Sequence, residues 1–175
     1  MADSSKSVLI LDTDILCVWL KIPGFPSCGP DTERWNYAKV DIEIQTAISL
    51  DYTLVLPLAT IIETGNHIAH ATEMRRERGK DLAELIRKSA DETSPWAAFT
   101  EQVKLWSSDN LKKLADTWPA LAANKLTIGD ATIKDVAEYY REMGYAVRLL
   151  SGDTQLAAYE PPPPPLVIPR RRQRG

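Results

Sequence analysis

At 175 residues, the chain has room for one domain with a sizeable core, and its 44% apolar and 26% charged residues are ordinary for a globular protein. A formal net charge of −3 excludes a strongly basic nucleic-acid coat, so any contact with nucleic acid has to be local. Two isolated cysteines, Cys17 and Cys28, are expected as free thiols of a reducing compartment. With no run near the ~20 apolar residues that span a bilayer and no signal-peptide pattern in MADSSKS, a soluble cytoplasmic protein is expected, without membrane contact.

The apolar run Ser7–Leu11 reads as a central parallel strand that stops at Asp12-Thr13-Asp14. Residues 15–21 look helical. Three prolines and two glycines make residues 23–30 a loop, and residues 36–50 return to helical period through Val40, Ile44, Ala47 and Ile48. Residues 52–56 are a second strand. Pro57 then opens a helix whose apolar side is Leu58, Ile61, Ile62, Gly65 and Ile68, and which is expected to run on into the basic set Arg75, Arg76, Arg78 and Lys80. Residues 81–89 form a further amphipathic segment. Ser94-Pro95 begins a turn or a short helix, residues 102–106 are expected as a third strand, and Ser108–Ala123 as a helix interrupted near Trp118-Pro119.

The most informative stretch is LTIGDATIKDVAEYYREMGYAVRLLSGDT, residues 126–154. Ile133, Ala137 and Tyr140 form an apolar helical face, Gly144 is a stop signal, and residues 146–150 are a buried strand. After Glu160 come five prolines, an extended segment that cannot join a sheet, then a last edge strand at 166–168 and a basic tail, Arg170, Arg171, Arg172 and Arg174. The domain is therefore placed at 1–159, with a proline-rich segment and tail at 160–175. Alternation of strands and helices predicts an α/β fold, an α/β/α sandwich with a central, mostly parallel sheet.

That topology places acids. Asp12 ends the first strand, Glu63 lies early in the helix after the second, Asp130 opens its helix, and Asp153 follows its strand. All four belong at the carboxyl edge, where open α/β sheets bind ligands. Unit charges at ~4 Å repel by several kcal/mol at an effective dielectric near 20, so either some protonate or a divalent cation gathers them. Oxygen-only ligands favour Mg²⁺ or Mn²⁺ over zinc, and such a site suits phosphodiester hydrolysis by one or two ions.

The ordered set LILDTDIL, LPLATIIETGN, LTIGDATIKDVAEYYREMGY and VRLLSGDTQL resembles the PIN-domain nuclease family across residues 7 to 158. Asp12, Glu63, Asp130 and Asp153 match that family's four acidic positions, and Asp130-Ala131-Thr132-Ile133 is the closest local match. The resemblance implies a PIN-like fold, a Mg²⁺- or Mn²⁺-dependent endoribonuclease and an RNA substrate. Many family members are toxins of bacterial toxin–antitoxin pairs, so an antitoxin or other inhibitor protein and a homodimer are partners it leaves open. Asp14 stands where a small polar residue is commoner, residues 71–126 are longer than in compact members, and the proline run and tail are additions.

Plainer readings stand beside these. Asp12 can simply end a strand, Thr127 and Asp130 resemble a capping box, Glu63 can complement a helix dipole, and Asp153 can serve a Ser-Gly-Asp turn. Asp135 falls off the apolar stripe and is expected on a solvated face. His67 and His70 share a face with Glu63 but are expected as ordinary polar positions. Two alternative functions are a non-catalytic binding module on the same fold, and a haloacid-dehalogenase-like phosphatase with Asp12 as nucleophile and Asp14 as acid/base. The phosphatase reading lacks its second acid after Gly152-Asp153 and leaves Glu63 and Asp130 without a role.

Overall fold

The computed structural model describes residues 6–164. In chain order the elements are β1 (Ser7–Leu11), α1 (Thr13–Trp19), β2 (Ser27–Cys28), β3 (Trp35–Asn36), α2 (Tyr37–Ser49), β4 (Thr53–Val55), α3 (Leu58–His70), α4 (Arg75–Ala90), a 3-10 helix (Phe99–Trp106), α5 (Ser108–Ala123), α6 (Ile128–Glu142), β5 (Ala146–Leu150) and α7 (Thr154–Ala157). The expected strand at 166–168 and the arginine tail lie outside the described residues.

Three strands form a wholly parallel sheet in the order β4-β1-β5, with Ile10 opposite both Val55 and Leu149. Side-chain alternation divides the core. Leu9, Leu11, Leu54 and Leu150 face a layer of α1 to α4, while Val8, Ile10, Val55, Val147 and Leu149 face Ile133, Val136, Ala137 and Tyr140 of α6. β1 is covered on both faces, which is why it reads as a continuous apolar run rather than an alternating one. The fold is thus the α/β sandwich with a parallel sheet that the pattern predicted.

Both sheet edges are capped. At the β4 edge the Leu54 amide donates to the Pro95 carbonyl at 2.7 Å, and the Ala97 amide donates to the Leu54 carbonyl at 2.8 Å. At the β5 edge the Leu149 amide donates to Glu160 Oε2 at 2.8 Å. These bonds occupy polar groups that would otherwise template pairing with another chain.

Three expectations are corrected. Residues 102–106 are not a strand: Phe99, Gln102 and Leu105 turn inward at a spacing of three, the period of a 3-10 helix, and residues 95–97 already take the place beside β4. Gln102 Nε2 instead donates to the Leu56 carbonyl just past β4 at 3.0 Å. The helix from Leu58 does not run on to Arg78. It stops at His70, Met74 takes a left-handed conformation (φ 56°), and α4 folds back so that Leu82 packs on Gly65. Pro119 does not interrupt α5, because the Ala115 carbonyl it leaves without a donor lies on an exposed face. The stop at Gly144 is as read: φ is +87°, and the Tyr145 amide donates to the Tyr140 carbonyl at 3.0 Å.

Among the described residues no helix is long and apolar enough to cross a membrane. Ile133 is fully buried between α6 and the sheet, whereas Ile62 is 53% exposed. Ile133→Ala is expected to cost about 2–5 kcal/mol in urea unfolding. Ile62→Ala is expected to stay within about 0.5 kcal/mol of the parent.

Candidate functional site

β1 runs directly into α1, so Asp12 sits at the carboxyl edge of the sheet. It caps α1, with Oδ1 accepting from the Thr13 amide at 2.6 Å. Oδ2 accepts from the Ser151 hydroxyl at 2.5 Å, from the first residue past β5. The Asp12 amide donates to the Leu150 carbonyl at 3.1 Å, which continues the β1–β5 ladder into the site. Asp12 is only 5% exposed. Burial pushes its carboxyl well above the ordinary carboxylate range, and the negative charges of Asp14 and Asp130 push the same way; the bonds from Ser151 and Thr13 oppose this without prevailing.

Glu63 is brought in by α3, which is fastened to β1 by a buried bond from Thr60 Oγ1 to the Leu11 carbonyl at 2.9 Å. Glu63 Oε2 accepts from Thr13 Oγ1 at 3.1 Å. Its Oε1 occupies the place where a side chain on Gly129 would begin, so the carboxylate rests on the first turn of α6. Asp130 follows immediately. The Thr127–Asp130 capping box is formed: the Asp130 amide donates to Thr127 Oγ1 at 3.1 Å, and the Thr127 amide and hydroxyl donate to Asp130 Oδ2 at 3.0 and 2.7 Å. Every one of these carboxylate bonds falls on Oδ2. Capping therefore draws on one oxygen and leaves Oδ1 outside the box, so the cap does not by itself use up the carboxylate.

Asp153 stands further out. It caps α7 through Oδ1, which accepts from the Gln155 amide at 2.8 Å, and its own amide donates to Ser151 Oγ at 3.0 Å. Ser151 thus links Asp153 to Asp12. Thr13 links Asp12 to Glu63, Glu63 rests against Gly129 beside Asp130, and Ser151 links the exposed Asp153 to Asp12.

Sequence reasoning undervalued Asp14 and passed over Ser151. Asp14 Oδ1 accepts from the Ile15 amide at 2.7 Å and the Gly152 amide at 3.3 Å, while Oδ2 lies against the Gly152 α-carbon. The available signal was the repeated Gly-Asp pair. Gly129 admits the Glu63 carboxylate, and Gly152 admits that of Asp14. Cys17 and Cys28 are free and buried, and burial pushes both thiols up to about 12, so they are unreactive neighbours.

Other candidates lie elsewhere. His67 packs edge-on against Phe25 at 4.7 Å, and His70 Nδ1 is 2.8 Å from the Asn66 carbonyl. Arg75 bonds the Ala71 carbonyl that ends α3, and Arg78 pairs with Asp81. Asp135 is not on a solvated face: it is partly buried with Gln102, Trp106 and Leu114 around a narrow cleft, and burial raises its carboxyl pKa.

Among the described residues no group of three or more His, Cys, Asp or Glu side chains is placed to hold a metal ion. The donor chemistry nonetheless fits a hard divalent cation. The acids supply only oxygen, each Asp12 oxygen keeps a lone pair beyond the bond it accepts, and two carboxylates but no cation act on buried Asp12. Compared with known protein families, curated proteins and solved structures, the chain matches none.

Two expected outcomes follow from the geometry. Asp12 has a folded-state pKa above its unfolded value, so the stability it permits is complete below the unfolded pKa, near ~4, and is lost as pH rises through the folded pKa. Asp12→Asn should therefore raise Tm in EDTA at neutral pH, with the gain vanishing as pH falls below ~4, read by differential scanning calorimetry. At Gly152, an added β-carbon would lie 2.8 Å from the Gly29 amide nitrogen and 2.9 Å from Cys28 Sγ, besides meeting Asp14. Because the first of these is backbone, Gly152→Ala should cost about 1–3 kcal/mol in urea unfolding.

Proposed function

We propose that this chain is a metal-dependent endoribonuclease with a PIN-like architecture, using Asp12, Glu63, Asp130 and Asp153 to hold Mg²⁺ or Mn²⁺. The observation that carries the reading is Asp12 itself: a buried carboxylate facing two other acids, with no cation among the groups that act on it. A buried charge left in that state is costly, and a bound cation removes the cost. A resident divalent ion supplies polarisation of the phosphodiester and activation of an attacking water.

The protein's own groups do the positioning. Ser151 and the Thr13 amide fix the Asp12 carboxylate in one orientation. Thr13 Oγ1 holds Glu63 from one side, and the bare α-carbon of Gly129 lets it approach α6 from the other. Thr127 fixes Asp130 through a single oxygen. Asp153, exposed at the solvent side, would complete the set of four acids. The order and spacing of the four acids in the sequence support RNA as the substrate, through the resemblance that they carry.

The test is cleavage of a labelled single-stranded RNA and a tRNA pool with Mg²⁺, Mn²⁺ or EDTA, beside Asp130→Asn and Gly129→Ala. Cutting is expected only with metal, and should fall at least about tenfold in both variants. Gly129→Ala is the sharper probe, because alanine is the better helix former by up to ~1 kcal/mol. Its Tm in EDTA should hold or rise while displacement of Glu63 weakens the Mn²⁺ response. Saturating Mn²⁺, at about 100 times its Kd, should stabilise the parent by about 2.7 kcal/mol. Absence of both cleavage and Mn²⁺ stabilisation would overturn the proposal.

A further inference from the structure

The amino edge of the sheet carries a second concave feature, independent of the acidic site. A groove of about 530 Å³ opens beside the start of β4, lined by Ile48, Asp51, Tyr52, Glu92, Pro95 and Trp96. Two helices end on it. α2 stops at Ser49, with Leu50 and Asp51 following; α4 stops at Ala90, with Asp91 and Glu92 following. Helix C-termini carry the negative end of the macrodipole, so acids there are unfavourable where cations would be favourable. Asp51 and Glu92 also hold left-handed backbone conformations, φ 59° and 54°, which glycine would adopt at lower cost. Among the described residues neither carboxylate makes an ion pair, and the cations of the last turn of α4, Arg87 and Lys88, are turned to Glu84. The groove therefore has an apolar and aromatic floor with an uncompensated negative rim.

The chain contains a segment of the complementary composition. Residues 165–175, PLVIPRRRQRG, combine prolines and three aliphatic residues with four arginines and no acid. Since the whole chain carries −3, residues 1–164 carry −7, so the tail and the domain attract one another. Glu160 holds the preceding segment against the outer edge of β5 through the Leu149 amide, and the described chain ends at Pro164. From β5 across β1 and β4 to Pro95 is three strand spacings, about 15 Å. Eleven residues at ~3.1 Å each reach roughly 34 Å, ample for the crossing. Proline-bearing segments dock on aromatic-lined grooves with little ordering cost, and arginine adds bidentate pairing with carboxylates.

We propose that this groove is the dock of the chain's own C-terminal segment, with Leu166 to Pro169 over Tyr52 and Pro95 and the arginines against Asp51 and Glu92. The tail is then held at the amino edge, away from the acids at the carboxyl edge, and is released by salt.

The test uses the full chain with a fluorophore on Gly175→Cys, Cys17 and Cys28 being buried. Tail anisotropy at low salt should exceed its value at about 0.5 M salt, where the tail is tethered but undocked. It should fall equally in Asp51→Lys/Glu92→Lys, and in the variant with all four tail arginines changed to Glu. Combining the two charge reversals should restore it. A parent value that does not change with salt, a groove reversal without effect, or no recovery in the combined variant would overturn the proposal. So would anisotropy that rises with protein concentration, which would assign the groove to the tail of a second copy.

Discussion

The carboxyl edge of the sheet depends on how Asp12 is held. Its amide extends the β1–β5 ladder to the Leu150 carbonyl, one carboxylate oxygen starts α1 at Thr13, and the other ties back to Ser151 on the far strand. Three structural roles thus converge on a residue that burial and two like charges make expensive to ionise. A polar side chain that capped α1 without charge would do the structural work more cheaply. A carboxyl group kept here despite that cost is what sets this edge apart from an ordinary strand end.

The remaining acids are brought near Asp12 by absences of bulk. α3 is pinned by Thr60, which directs Glu63 inward, but the carboxylate reaches α6 only because Gly129 has no side chain. Asp14 reaches the turn after β5 only because Gly152 has none. The two cases differ in what a methyl group would meet. At Gly129 it meets the end of a flexible side chain, so a change there acts on the site; at Gly152 it also meets the Gly29 backbone, so a change there acts on the fold as well. In both, the glycine supplies close approach at the cost of helix or turn stability.

Much of this arrangement was legible in the sequence. The strands at β1 and β5, the apolar face of α6 and the stop at Gly144 follow from periodicity and one left-handed glycine, and the edge assignment of the four acids follows from chain direction alone. What escaped was set by tertiary contact. Gln102 to Trp106 has strand-like composition, but the position beside β4 was already filled by Pro95 to Ala97. Met74 ends one helical register and begins another without a glycine or proline to mark it. Ser151 carried no signal beyond a turn, because its importance lies in a bond to a residue 139 positions away. Asp135 looked solvated by helical phase, yet α5 and the 3-10 helix pack over that flank of α6.

The polarity of the sheet explains why the two acidic regions differ in kind. Helices that run antiparallel to parallel strands turn their N-termini to the carboxyl edge and their C-termini to the amino edge. Asp12 and Asp153 cap helices, and Asp130 lies in a first turn, so each is aided by a dipole worth roughly 0.3–1 kcal/mol. Mutual repulsion among such charges at ~4 Å amounts to several kcal/mol, which the dipoles offset only in part. Under the function proposed above, a compact, strongly charged ion would offset the remainder at the carboxyl edge. Asp51 and Glu92 sit at the opposite helix ends, where the dipole adds to their repulsion, but they are exposed and water screens them. That edge calls for several weak cationic contacts spread along a chain, a mode of binding that salt dissolves and that a divalent ion would not replace.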